Sequence, residues 1–93
     1  MFKVNEYFDK KVMSLGFEGD EGKTTIGVMA AGEYEFGTSS VEYMTVTSGT
    51  MEVMLPGENQ WRKYKAYETF VVPANVKFKV KMAKDTSYKC VYK

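Results

Sequence analysis

Glu42 is the residue whose type and setting most invite chemistry. It lies near the start of GTSSVEYMTVTSGTMEVMLPG, residues 37–57, which alternates like sheet and opens and closes on glycines. If the alternation runs on from Tyr34, then Tyr34, Phe36, Thr38, Ser40, Glu42, Met44 and Val46 share one face, and that face is mostly apolar. A carboxylate among such neighbours needs donors or a cation, because an unpaired buried charge costs several kcal/mol and drives the pKa upward instead. Glu42 is therefore expected to have a partner or a purpose. The plainer alternative is a strand-end carboxylate paired with a lysine.

The other groups narrow what that purpose is. The chain has no histidine and one cysteine, Cys90, so neither an imidazole-based nor a thiolate-rich metal site can be assembled. Cys90 sits at an apolar position with no histidine to generate a thiolate, which reads as core filler. Thr38, Ser39 and Ser40 follow a glycine and offer hydroxyls to an anion, although such clusters are also ordinary turn chemistry. Tyr34, Phe78, Tyr88 and Tyr92 offer flat faces for stacking, although aromatic groups in a small β-protein commonly pack its core. Arg62, the lone arginine, follows Trp61 after the turn at 56–60 and reads as a surface residue.

Those side chains must be carried by strands. In residues 76–82, Val76, Phe78, Val80 and Met82 alternate with Lys77, Lys79 and Lys81, so one face is buried and the lysine stripe is a solvated face. Segments 11–18, 24–30, 33–36, 41–48, 50–55, 61–67, 69–72 and 87–93 are similarly rich in Val, Thr, Tyr, Phe and Met. Glycine, proline, asparagine and aspartate punctuate the gaps, as in Gly19-Asp20-Glu21-Gly22 and Pro73-Ala74-Asn75. Nothing repeats apolar groups at helical spacing, although residues 5–12 have room for one short helical turn. About nine short strands at this spacing predict an all-β fold, an antiparallel sandwich or barrel of jelly-roll type, in one domain spanning residues 1–93.

Composition sets the remaining bounds. A 93-residue chain of this size buries about 60–65% of the surface that its unfolded form exposes, so any site must sit in or on a single core. Thirteen basic and twelve acidic residues leave a formal net charge of +1, which singles out neither nucleic acid nor a membrane as partner. No stretch approaches the roughly 20 apolar residues of a membrane span, and the charged N-terminal segment lacks a signal peptide's apolar run. A solitary cysteine fits a reducing compartment, and the expected location is the cytoplasm.

Six residues separate Glu42 from Gly49, Gly32 stands upstream, and Pro73 precedes Phe78. This arrangement resembles the cupin family, with Thr38 and Ser40 near the slots of the first motif's histidines and Phe78 in that of the second motif's histidine. A closer resemblance runs through Asn5-Glu6-Tyr7-Phe8, Gly27-Val28-Met29, Gly32-Glu33-Tyr34 with Phe36 and Thr38, Glu42 with Met44-Thr45-Val46 and Ser48-Gly49, Leu55-Pro56, Val72-Pro73, and Ser87-Tyr88 with Cys90 and Tyr92. Together these look like the small bacterial cupin-type pyrimidine/purine nucleoside phosphorylases. The resemblance implies a cupin-type β-barrel, a homodimer, no metal and no organic cofactor. It also implies cleavage of nucleosides by inorganic phosphate to free base and ribose 1-phosphate, across purine and pyrimidine bases.

Under that reading Glu42 stabilises positive charge at the anomeric carbon or holds ribose hydroxyls, and Thr38, Ser39 and Ser40 cradle phosphate. Tyr34, Tyr88 and Tyr92 meet base and ribose, with Phe78 shaping the wall. Two other classes stand beside it: a catalytically silent barrel that binds a small metabolite as sensor or carrier, and a purely structural partner for another protein.

Overall fold

A computed structural model describes residues 1–93. The chain forms ten strands and no helix: β1 (Lys3–Tyr7), β2 (Val12–Gly19), β3 (Gly22–Met29), β4 (Gly32–Gly37), β5 (Glu42–Ser48), β6 (Thr50–Met54), β7 (Arg62–Lys65), β8 (Thr69–Val72), β9 (Lys77–Met82) and β10 (Thr86–Tyr92). They make a six-stranded sheet in the order β1-β2-β3-β10-β5-β8 and a four-stranded sheet in the order β4-β9-β6-β7. Every pairing is antiparallel. The all-β expectation is met, and of its two forms the chain adopts the sandwich: two sheets face one another without closing into a barrel.

Period-two alternation builds the interface between the sheets. On β9, Phe78, Val80 and Met82 are buried while Lys77 and Lys79 are exposed, and Lys81 extends over Trp61 with Nζ 4.2 Å from the ring centroid. The stripe of lysines is thus a solvated face. Facing these residues across the core are Val12, Met29, Met44, Val46 and Phe70 from the six-stranded sheet. Arg62 is equally peripheral, paired with Glu58 at 3.2 Å on the surface.

The single face expected from Tyr34 to Val46 is instead split between the two sheets. Tyr34 and Phe36 face inward from β4, Glu42, Met44 and Val46 face inward from β5, and residues 38–41 carry the chain across. Thr38 fixes that crossing. Its amide donates to Val76 O at 2.9 Å and its carbonyl accepts from Asn75 N at 3.0 Å. Its hydroxyl donates to Pro73 O at 2.7 Å and accepts from Val76 N at 3.1 Å.

One expected element is replaced. Residues 5–12 make no helical turn: Lys3–Tyr7 is a strand paired with β2, from Lys3 opposite Gly16 to Tyr7 opposite Val12. Phe8, Asp9 and Lys10, with φ of 53°, 55° and 68°, then turn the chain through left-handed backbone. The sequence disguises this strand because none of its side chains is buried in the core: Asn5 is half-buried against Ser14, and Tyr7 stands at the edge of a cavity.

Candidate active site

A cavity of about 390 Å³ opens between the two sheets, a size suited to one small metabolite. Ser14, Met29, Met44, Phe78, Tyr88 and Cys90 line its floor and are all buried. Glu42, Phe36 and Tyr92 form half-buried walls, and Tyr7, Phe8, Glu35 and Gly37 form an exposed rim.

Strand register explains why the polar groups converge. On β10 a period of two turns Tyr88, Cys90 and Tyr92 to the same side, and β5 lies alongside with Cys90 opposite Met44 and Tyr92 opposite Glu42. The Cys90 thiol donates to Glu42 Oε1 at 3.6 Å. Tyr92 and Thr25 share a hydroxyl hydrogen bond of 3.2 Å, and Asn5 Nδ2 donates to Ser14 Oγ at 3.2 Å.

Tyr88 approaches the backbone of its neighbour β3. A Cβ added to Gly27 would lie 2.6 Å from both Cζ and the phenol oxygen of Tyr88. Glycine is what allows the phenol end of the ring to approach the strand this closely.

Burial controls the protonation states. It raises the Glu42 pKa, a rise offset in part by the hydrogen bond from Cys90. Burial pushes Tyr88 up to about 12; the Cys90 thiol also rises to about 12, through burial first and then the neighbouring negative charge of Glu42. Tyr92 rises as well, again chiefly through burial. At neutral pH the tyrosines and the thiol are therefore protonated, and the cavity presents neutral O–H and S–H donors around a carboxyl. No lysine or arginine lines it, so the expected alternative of a lysine partner for Glu42 is not what the fold provides. Nor do three or more carboxylate or thiol groups gather anywhere as a metal centre would need.

Of the residues singled out in the sequence, the fold brings Glu42, Phe78, Tyr88 and Tyr92 to the cavity and leaves Tyr34, Thr38, Ser39 and Ser40 off its lining. Tyr34 is buried, with its hydroxyl donating to Ala30 O at 2.8 Å. The Thr38 hydroxyl is occupied by the turn at 73–76. Ser39 is exposed and Ser40 half-buried, between Gly37 and Glu42, which both reach the cavity. Sequence reasoning missed Tyr7, Phe8, Ser14 and Glu35. Ser14 was legible in principle, as a hydroxyl sharing the inward parity of Val12.

Two facing antiparallel sheets with a cavity between them define a cupin-like sandwich. The fold matches the cupin domain of a Schizosaccharomyces pombe protein with a TM-score of 0.68 at 14% identity, over 98% of this chain and 69% of that one. A structure of a protein of unknown function from Vibrio parahaemolyticus is nearer, with a TM-score of 0.93 and 40% identity over 97% of this chain and 96% of that one. A family profile described as pyrimidine/purine nucleoside phosphorylase matches residues 2–92. A Pseudomonas aeruginosa protein named pyrimidine/purine nucleoside phosphorylase is 56% identical over 93 residues, the full length of both chains. The chain belongs to the pyrimidine/purine nucleoside phosphorylase family and is an enzyme.

Proposed function

We propose that this enzyme cleaves purine and pyrimidine nucleosides with inorganic phosphate, releasing free base and ribose 1-phosphate. A phosphate oxygen forms a bond to the anomeric carbon as the bond from that carbon to the base nitrogen breaks. The bonding pair leaves with the base, and the proton of hydrogen phosphate ends on the base nitrogen. In the transition state the sugar carries positive charge.

The observation that supports this reading is the isolation of Glu42. Its carboxyl is half-buried, receives one weak donor from Cys90 and faces no cation in the cavity. The counter-charge missing from the resting enzyme is what an oxocarbenium-like sugar supplies, so the interaction strengthens as the reaction proceeds and lowers the barrier. Tyr88 and Tyr92 offer phenols to ribose hydroxyls, and Phe78 walls the floor. Phosphate is repelled by the carboxyl and takes neutral donors. Ser39 and Ser40, with the amides of the loop that runs into Glu42, take that role, and Thr38 holds the loop in place.

The test is phosphate-dependent release of uracil from uridine and of hypoxanthine from inosine. The expected products are base and ribose 1-phosphate in equal amounts, and none without phosphate. Binding without turnover would favour the silent metabolite-binding reading, and release that ignores phosphate would make the enzyme a hydrolase. Ser40→Ala is expected to raise the KM for phosphate and leave that for nucleoside unchanged, as steady-state kinetics would show.

We also assign the working form as a cytoplasmic homodimer of one-domain chains. No helix is long and apolar enough to cross a membrane. The outward face of β1–β3 carries Val4, Met13, Leu15, Ile26 and Val28, all exposed, in a register that sets Val4, Leu15 and Ile26 side by side. A contiguous apolar sheet face of this kind fits a second copy of itself. Light scattering is expected to give twice the chain mass for the wild type and the single-chain mass for Leu15→Lys; a monomeric wild type would refute the assignment.

A further inference from the structure

Resting on the phosphorolytic reading, we propose that the nucleobase stacks at the cavity rim on Tyr7 and Phe8, with Phe36 behind them, so that the ribose faces the polar floor. The rim and the floor differ in chemistry. Floor and walls present the carboxyl of Glu42 and the O–H and S–H groups of Tyr88, Tyr92 and Cys90, which suit sugar hydroxyls and the reacting carbon. Among the rim residues, Tyr7 and Phe8 are each 45% exposed although they face a cavity.

Their geometry is that of a preassembled aromatic surface. Phe8 packs at 5.0 Å from Tyr34 and, edge to face, at 5.5 Å from Phe36. Tyr7 meets Phe36 edge to face at 6.3 Å. Phe36 in turn rests on Phe78, centroid to centroid 5.9 Å, so the rim is braced against the core. The turn that delivers Phe8 runs through three successive left-handed residues, none of them glycine. That backbone is unfavourable for a bulky side chain, and what it yields is an aromatic ring held over the opening.

A rim position also accounts for acceptance of both base classes. Every base has a π-face, so stacking tolerates either ring system. Stacking on these rings reads the face of a base and not its hydrogen-bonding edges.

Calorimetry with uracil, hypoxanthine and ribose 1-phosphate, alongside turnover of uridine and inosine, tests the assignment on the full chain. Phe8→Ala and Tyr7→Ala are expected to weaken base binding and raise nucleoside KM by about 5–150-fold, the range corresponding to base–aromatic stacking. Affinity for ribose 1-phosphate and KM for phosphate should stay within about twofold, a difference too small to reflect a lost contact. Phe8→Tyr should restore binding. Phe8→Leu keeps the apolar bulk and removes the flat π-face; it serves in place of Phe8→Ala if that variant fails to fold, and should still lose base affinity. Loss of base and ribose 1-phosphate binding together, loss of neither, or a wild type that binds no base would overturn the assignment. A wild type that binds base through Phe8 and releases none from nucleosides would leave the platform standing and refute the phosphorolytic reading instead.

Discussion

Glu42→Gln is expected to lower turnover of uridine and inosine by about 10²–10³-fold, comparable to removing one preorganised electrostatic group from a transition state, and at the same time to raise the melting temperature at neutral pH. The pairing of effects follows from burial. Folding raises the pKa of Glu42, so its stability contribution is fully present below the unfolded-state value near 4.3 and is lost as pH rises through the higher folded-state value. Above that, the folded protein carries a carboxylate that water would solvate better, a penalty glutamine does not share. The stability gap between variant and wild type should therefore close as pH falls below the ordinary carboxylate range. Catalysis has the opposite dependence, because the anion is the working form: the acidic limb of the wild-type kcat profile should lie above the usual carboxylate range. Cys90→Ala removes the one donor to the carboxyl and should move that limb higher still. Unchanged turnover in Glu42→Gln would remove the glutamate from the mechanism.

Gly27→Ala is expected to destabilise the fold by about 1–3 kcal/mol, the usual range for overpacking. The added methyl would lie 2.6–2.7 Å from Cζ, the hydroxyl oxygen and Cε1 of Tyr88, and Tyr88 is 6% exposed with little room to withdraw. For a domain of this size each kcal/mol lowers the melting temperature by about 4–8 °C. The ring can yield only towards the cavity, so activity should fall with stability. Tyr88→Phe in the Gly27→Ala background keeps two of the three clashing atoms and should not rescue the melt. Tyr88→Val removes the ring and should restore much of the stability while the ribose-facing phenol, and with it turnover, stays lost. Thermal melts of the three variants beside the wild type would decide this.

These expectations rest on features that were legible to different degrees. The alternation of β9 was plain in the sequence because that strand has one buried and one largely solvated face, and period two exposes such a pattern directly; on β10, a central strand, Val91 is buried on the outward side as well. The inward course of Glu42 was legible from its parity with Met44 and Val46 on β5, whereas the change of sheet between Tyr34 and Glu42 was not. Thr38 was opaque. Its hydroxyl partners, Pro73 O and Val76 N, lie 35 and 38 residues away in the chain, and no local pattern announces a contact of that range. Tyr7 and Phe8 gave no local signal, since a strand with no buried side chain alternates too weakly to be recognised. Ser14 shares the inward parity of Val12, but only the register of β1 against β2 shows Asn5 opposite it.

The position of β1 has a dynamic consequence. It is one of the two edge strands of its sheet and its ladder runs along β2 alone, so its amides should exchange with deuterated solvent sooner than those of β3 or β10, each paired on both sides. Since β1 leads into the rim aromatics, its fraying would widen the cavity while the rest of the sandwich stayed folded. Saturating nucleoside should then slow exchange from Lys3 to Phe8 more than anywhere else in the chain.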